Sequence, residues 1–202
     1  NTASAKALRT IQQNDLPTID PSRRVLGVIR PTVECIGELT QNRHVGILAT
    51  SGTIKSESYL LEIEKLFPDV TVTGEACPMW VPLVENNEYD SEGADYFVQK
   101  HIRQLLAKDP DIDTLILGCT HYPLLIEKIR QFTPSHIRIV PQGEYVAQSL
   151  QNYFRRHPEM DNRCTKEGTC RFLTTESETK FEESASIFLQ QEDIHVERII
   201  LE

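Results

Sequence analysis

The sequence predicts an α/β fold built on mostly parallel sheet flanked by helices. Three observations carry that expectation. Short runs such as "HVGILAT" (44 to 50), "TLILG" (114 to 118) and "HIRIV" (136 to 140) are almost wholly aliphatic, as strands covered on both faces must be. Between them lie stretches with apolar residues three and four apart, the period of a helix. The two patterns alternate along the chain, as they do where helical crossovers join parallel strands.

Taken in order, "ASAKALRTIQQ" (3 to 13) is helical by the spacing of its small and aliphatic residues. "RVLGVI" (24 to 29) reads as a short buried strand, and "PTVECIGELTQ" (31 to 41) as a helix with Pro31 at its first position. After the strand at 44 to 50 comes the amphipathic "IKSESYLLEIEKLF" (54 to 67), stopped by Pro68. "DVTVTGEA" (69 to 76) is a strand, and "EGADYFVQKHIRQLLAKD" (92 to 109) a long helix. The strand 114 to 118 leads into a helix from Pro123 to Phe132, and the strand 136 to 140 into a helix over 144 to 157. The polar, patternless 157 to 170 is a loop. A strand near "CRFLTT", a helix over "ETKFEESASIFLQ" and the strand "HVERIIL" complete the chain.

The bulk properties narrow the function class. A formal charge of −9 gives no basic field for nucleic acid. No apolar run approaches the ~18 residues of a membrane-spanning helix, and the opening "NTASAKALRT" lacks a secretory core. Five scattered cysteines are an odd number in a chain too long for a disulfide scaffold, which favours free thiols in a reducing, cytoplasmic compartment.

Open parallel sheets bind ligands beyond the carboxyl ends of their strands. Here four strands deliver Thr50-Ser51-Gly52-Thr53, Glu75-Ala76-Cys77, Cys119-Thr120-His121 and Pro141-Gln142-Gly143. Cys119 follows a strand and precedes a helix start, two residues from His121; there a thiol pKa can fall and the thiolate can serve as base or nucleophile. Equally, a free cysteine packs as a small hydrophobe. His121 can orient or protonate a substrate, or merely close the turn before Pro123. Thr50 and Thr53 bracket Gly52 at a strand-to-helix turn, which suits a small carboxylate or simple helix capping. Glu85 ends "MWVPLVE" and either faces the same cleft or is a solvated carboxylate. Cys77 and Cys35 read as core. Cys164 and Cys170 have no companion pair to make a metal site, and no phosphate-binding glycine loop is present.

With "GCTHYP" (118 to 123), "ATSGTIKS" (49 to 56), "GEACPMWVPLVE" (74 to 85) and the opening "NTASA" quoted together, the chain resembles the cofactor-independent aspartate/glutamate racemase family, and the bacterial glutamate racemases within it. The resemblance runs along essentially the whole chain. It implies two similar α/β lobes with substrate between them: residues 30 to 141 form one, while 1 to 29 and 142 to 202 supply part of the other, incomplete lobe. It implies interconversion of L- and D-glutamate for peptidoglycan by two opposed thiols, one taking the α-proton and one returning it, without cofactor or metal. Cys119 is then the acid/base on one face, assisted by His121. Asn1, Thr2, Thr50, Thr53, Thr120 and Glu85 bind substrate. A homodimer is expected.

In the family a cysteine directly precedes "NTASA", so the resemblance places the second acid/base one residue ahead of Asn1. The 202-residue chain alone is therefore expected to be inactive, and a form extended upstream to be active. Two alternatives remain: an aspartate racemase or related racemase, and a non-catalytic carboxylate-binding module.

Overall fold

A computed structural model describes residues 1–166, 168 and 170–201. They form two compact units, Asn1–Asn152 and Tyr153–Glu202. The first contains a four-stranded, all-parallel sheet in the order β2-β1-β3-β4, with β1 at His44–Ala49, β2 at Thr71–Ala76, β3 at Thr114–Gly118 and β4 at Arg138–Pro141. The aliphatic runs pair as continuous parallel registers, Val45 to Ala49 of β1 lying opposite Thr114 to Gly118 of β3.

Side chains of a strand alternate between faces, and both faces of the central strands are buried. Val45, Ile47 and Ala49 join Ile116 and Val140 in one core with Ile29, Val33, Ile36, Tyr59 and Ile63. Leu48, Leu115 and Leu117 join the opposite core with Trp80, Val98, Ile102, Leu105 and Ile129. The helices Ile29–Glu34, Ile36–Leu39 and Ser58–Leu66 contribute to the first core; Trp80–Glu85, Glu92–Lys108 and Ile126–Phe132 contribute to the second. Helix Glu92–Lys108 shows the local logic well. The Ser91 hydroxyl caps it by accepting from the Ala94 amide at 3.2 Å, and Ala94, Val98, Ile102 and Leu105 form its buried stripe. It stops at Asp109, whose extended backbone is what Pro110 requires of its predecessor.

Three expectations are corrected. The strand over 24 to 29 does not form: residues 24 to 28 lie outside any helix or strand, and Ile29 already opens a helix, with Pro31 third in it. Side chains of the N-terminal helical segments satisfy this backbone instead of a ladder, Gln12 Nε2 donating to Val25 O at 2.7 Å and Ser4 Oγ accepting from Val28 N at 3.3 Å. Gly27 admits the Leu8 side chain, with which a Cβ there would collide. The helix expected over 54 to 67 is two, Ser51–Lys55 and Ser58–Leu66, divided at Glu57, whose φ of 54° is left-handed. The expected loop 157 to 170 contains a helical turn, Pro158–Asp161, begun by Pro158; Glu167 and Thr169 of that loop lie outside the described residues.

At the N-terminus the expected helix 3 to 13 extends from Thr2 to Ile19 as short segments, the third, Ile11–Asp15, wound with the wider π spacing. In the second unit, β5 (Phe172–Thr174) and β6 (Val196–Arg198) pair in parallel, joined through the helix Glu178–Leu189. Ala185, Ile194 and Val196 form its small core with Phe172. Among the described residues no helix is long and apolar enough to cross a membrane.

The amino ends of the strands carry a polar knot. His44 Nδ1 lies 3.0 Å from Asp109 Oδ2, which also accepts from Thr73 at 3.3 Å, while the Asp111 amide donates to Asp109 Oδ1 at 3.1 Å. The Asp109 contact raises the His44 pKa above its ordinary value. Burial pushes the Asp109 carboxyl up, but the bonds from His44 and the Asp111 amide outweigh it and leave it below its ordinary value. The His44 contribution to stability is therefore fully present below the ordinary histidine pKa and lost as pH rises through the raised one; the Asp109 contribution is lost as pH falls through its lowered one. Urea unfolding across pH 5 to 9 is expected to show stability falling on the basic side, and His44→Asn to flatten that fall. An unchanged slope in the variant would assign the titration to other groups.

Candidate active site

The carboxyl ends of β1, β3 and β4 meet at one edge of the sheet, and the side chains there fall into two linked groups. The first is built on β3. Its last residue, Gly118, is buried against Ala49 and the Tyr59 ring; a Cβ there would meet Ala49 Cβ at 3.1 Å and Tyr59 Cε2 at 3.2 Å. The close approach explains the glycine, and it places Cys119 immediately beyond the sheet. Cys119 is 8% exposed, and its Sγ lies 3.8 Å from His121 Nδ1. His121 Nε2 lies 3.1 Å from Glu85 Oε1, and Thr120 Oγ1 is 3.5 Å from His121 Nδ1. Glu85, His121 and Cys119 thus form a relay from an exposed carboxylate to a buried thiol.

Burial pushes the Cys119 thiol pKa up. Backbone N–H groups of His121 and Tyr122, directed at the sulfur, oppose the rise without cancelling it. The expectation of a lowered thiol pKa is therefore corrected: desolvation exceeds the help of the turn amides.

The second group is built on the turn after β1. Thr50 caps the helix Ser51–Lys55, its hydroxyl accepting from the Thr53 amide at 3.4 Å. Thr2 Oγ1 lies 3.0 Å from Thr50 Oγ1 and 3.3 Å from Thr53 Oγ1, and the latter two are 3.1 Å apart. The three hydroxyls close a triangle that joins the first residues of the chain to the strand end. Thr50→Val removes both the cap and one corner. A loss of about 1 kcal/mol in unfolding free energy is expected, checked by urea denaturation.

Asn1 stands beside this triangle. Its Oδ1 accepts from the Tyr59 hydroxyl at 2.6 Å. Tyr59, through this bond and through its ring beside Gly118, links the two groups. Together the structure gathers Asn1, Thr2, Thr50, Thr53, Cys119, Thr120, His121 and, through His121, Glu85.

Residue-type reasoning missed Tyr59 and Tyr122, and placed Gln142 at the sheet edge without giving it a role. Tyr59 sits in the apolar stripe of its helix and reads as core. Tyr122, fully buried, packs on Trp80 with ring centroids 4.8 Å apart and donates to Cys77 O at 3.3 Å, fixing the turn that carries Cys119. Cys77 is buried, and its thiol pKa is pushed well up by desolvation, in keeping with a core role. A further set joins buried Glu75 and His101 to the exposed Lys108, with His101 Nδ1 2.9 Å from Glu75 Oε1 and Lys108 Nζ 2.6 Å from Glu75 Oε2 and 3.0 Å from Gly74 O. Among the described residues the one His/Asp/Glu/Cys group with metal-ligand spacing is His44, Asp109 and Asp111, at the opposite edge of the sheet.

The sequence model of the Asp/Glu/Hydantoin racemase family matches residues 22–149. The chain belongs to that family. Relatives within the racemases include the glutamate racemase of Streptococcus agalactiae serotype III, 38% identical over 205 residues that take in 100% of this chain and 72% of the relative. The glutamate racemase of Enterococcus faecalis is 39% identical, over 100% of this chain and 71% of the relative. Among solved racemase structures, glutamate racemase isoform RacE1 from Bacillus anthracis superposes with a TM-score of 0.84 at 30% identity, covering 99% of this chain and 71% of that one. Glutamate racemase from Francisella tularensis in complex with D-glutamate superposes with a TM-score of 0.81 at 27% identity, covering 98% and 70%.

Proposed function

We propose that the protein is a cofactor-independent glutamate racemase in which Cys119 exchanges the α-proton on one face of the substrate. The observation that carries this reading is the placement of Cys119: a thiol held at a strand end by turn amides and backed by His121 and Glu85. Relatives more than a third identical over the whole chain are glutamate racemases, which favours glutamate over the alternatives.

In this mechanism the Cys119 thiolate removes the α-proton of one enantiomer. A thiol on the opposite face returns a proton, and the roles reverse in the other direction. The family places that second thiol directly ahead of Asn1. His121, held by Glu85, steadies the charge that comes and goes on Cys119. The hydroxyls of Thr2, Thr50, Thr53 and Thr120 and the amide of Asn1 bind substrate and offset the negative charge that builds on its carboxylate as the α-proton leaves. The protein would work as a homodimer in the bacterial cytoplasm, supplying D-glutamate for peptidoglycan.

Circular dichroism of L-glutamate, incubated with a form carrying the family's cysteine directly ahead of Asn1, tests the reading. Signal loss with L-glutamate and little with L-aspartate is expected. Faster loss with aspartate would move the protein to the aspartate reading, and no loss with either to the binding-module reading.

A further inference from the structure

The Tyr59 hydroxyl is the centre of a buried chain that the racemase reading does not use. Tyr59 is 3% exposed and its oxygen has two partners at 2.6 Å, Asn1 Oδ1 and Gln142 Nε2. Gln142, 8% exposed at the end of β4, sends its amide nitrogen also to Thr32 Oγ1 at 3.0 Å. An amide nitrogen only donates, so the Tyr59 oxygen accepts from Gln142 and its own proton is left to go to Asn1. Asn1 Oδ1 is thereby occupied, and its two N–H donors remain for other partners. Among the described residues the buried Gln142 Oε1 has no hydrogen-bond partner, so the donor orientation of this amide is held at a cost.

The direction matters for the ligand. A carboxylate or a developing carbanion needs donors, and an asparagine amide turned by half a rotation presents an acceptor in their place. Tyr59 also carries its ring against the backbone of Gly118, next to Cys119, so one side chain touches both groups of the site.

We infer that Tyr59 and Gln142 are positioning residues, which act through Asn1 by locking its amide with the N–H donors toward the substrate carboxylate. The inference rests on the racemase reading for the identity of the ligand, and on the hydrogen-bond chain alone for the lock.

The chain with Asn-selective ¹⁵N labelling gives the lock its own readout, free of any ligand. Tyr59→Phe keeps the ring and removes the hydroxyl; it is expected to shift the Asn1 side-chain amide resonances while the other asparagine amides stay in place. Calorimetric titration with L- and D-glutamate gives the second readout. Tyr59→Phe is expected to weaken binding about tenfold, the scale of losing the hydrogen bond that Asn1 donates to a charged ligand. Gln142→Met, which leaves the Tyr59 hydroxyl in place but frees its proton to turn, should weaken binding by less. In an Asn1→Ala background Tyr59→Phe should cost nothing further.

An unmoved Asn1 resonance in Tyr59→Phe overturns the lock. An equal affinity loss in the Asn1→Ala background also overturns it, because Tyr59 would then act through packing. A shifted resonance, with no binding of either enantiomer by the form extended upstream, keeps the lock and overturns the racemase reading of the site.

Discussion

Replacing Cys119 with serine is expected to lower racemisation by about a thousandfold or more, since a positioned general acid/base contributes on that order and a serine hydroxyl is far too weak an acid to replace it. In D₂O the active form should place deuterium at Cα of the product, and Cys119→Ser should slow the exchange on the face served by this residue. Polarimetry with mass spectrometry reads both effects. Because burial raises the Cys119 pKa, less thiolate is present at neutral pH than in a free thiol. Alkylation of Cys119 by iodoacetamide should therefore be slow at pH 7 and climb through a pH above the ordinary thiol range. Full turnover in the serine variant would move the chemistry elsewhere. Rapid alkylation at pH 7 would mean that the turn amides outweigh burial.

The second large effect is structural. Trp80→Ala is expected to cost about 3–5 kcal/mol of unfolding free energy, the range for emptying a large aromatic site. Trp80 is fully buried, meets Tyr122 at 4.8 Å and His101 at 6.3 Å, and donates its indole N–H to Phe97 O at 3.3 Å. Removing the indole leaves a cavity beneath the turn that holds Cys119, so thermal unfolding should fall and Cys119 should become easier to alkylate together. Trp80→Phe, which keeps most of the volume, should recover most of the stability. A loss under about 1 kcal/mol in Trp80→Ala would mean that the surrounding helices collapse into the space.

Much of this was legible in the residues. The aliphatic runs at 44 to 50 and 114 to 118 became the two central strands because a strand buried on both faces has no room for polar alternation. The long helix expected over 92 to 109 formed as Glu92–Lys108. The failures share a cause. "RVLGVI" has strand composition, but a strand exists only where another lies alongside, and side chains from the N-terminal helices took its hydrogen bonds. Glu57 split a helix by a left-handed residue that no period reveals.

The same division runs through the site. The strand-end rule and "GCTHYP" sufficed to single out Cys119, Thr120, His121, Thr50 and Thr53, since side chains that follow parallel strands must emerge at one edge. Which of them touch was decided only by tertiary structure. The Glu85 to His121 bond spans 36 residues, the Thr2 to Thr50 bond 48, and the Gln142 to Tyr59 bond 83. The sign of the Cys119 pKa shift was likewise beyond local reasoning. A helix start and a histidine can be read from neighbouring letters, whereas the desolvation that outweighs them comes from residues brought in by the fold.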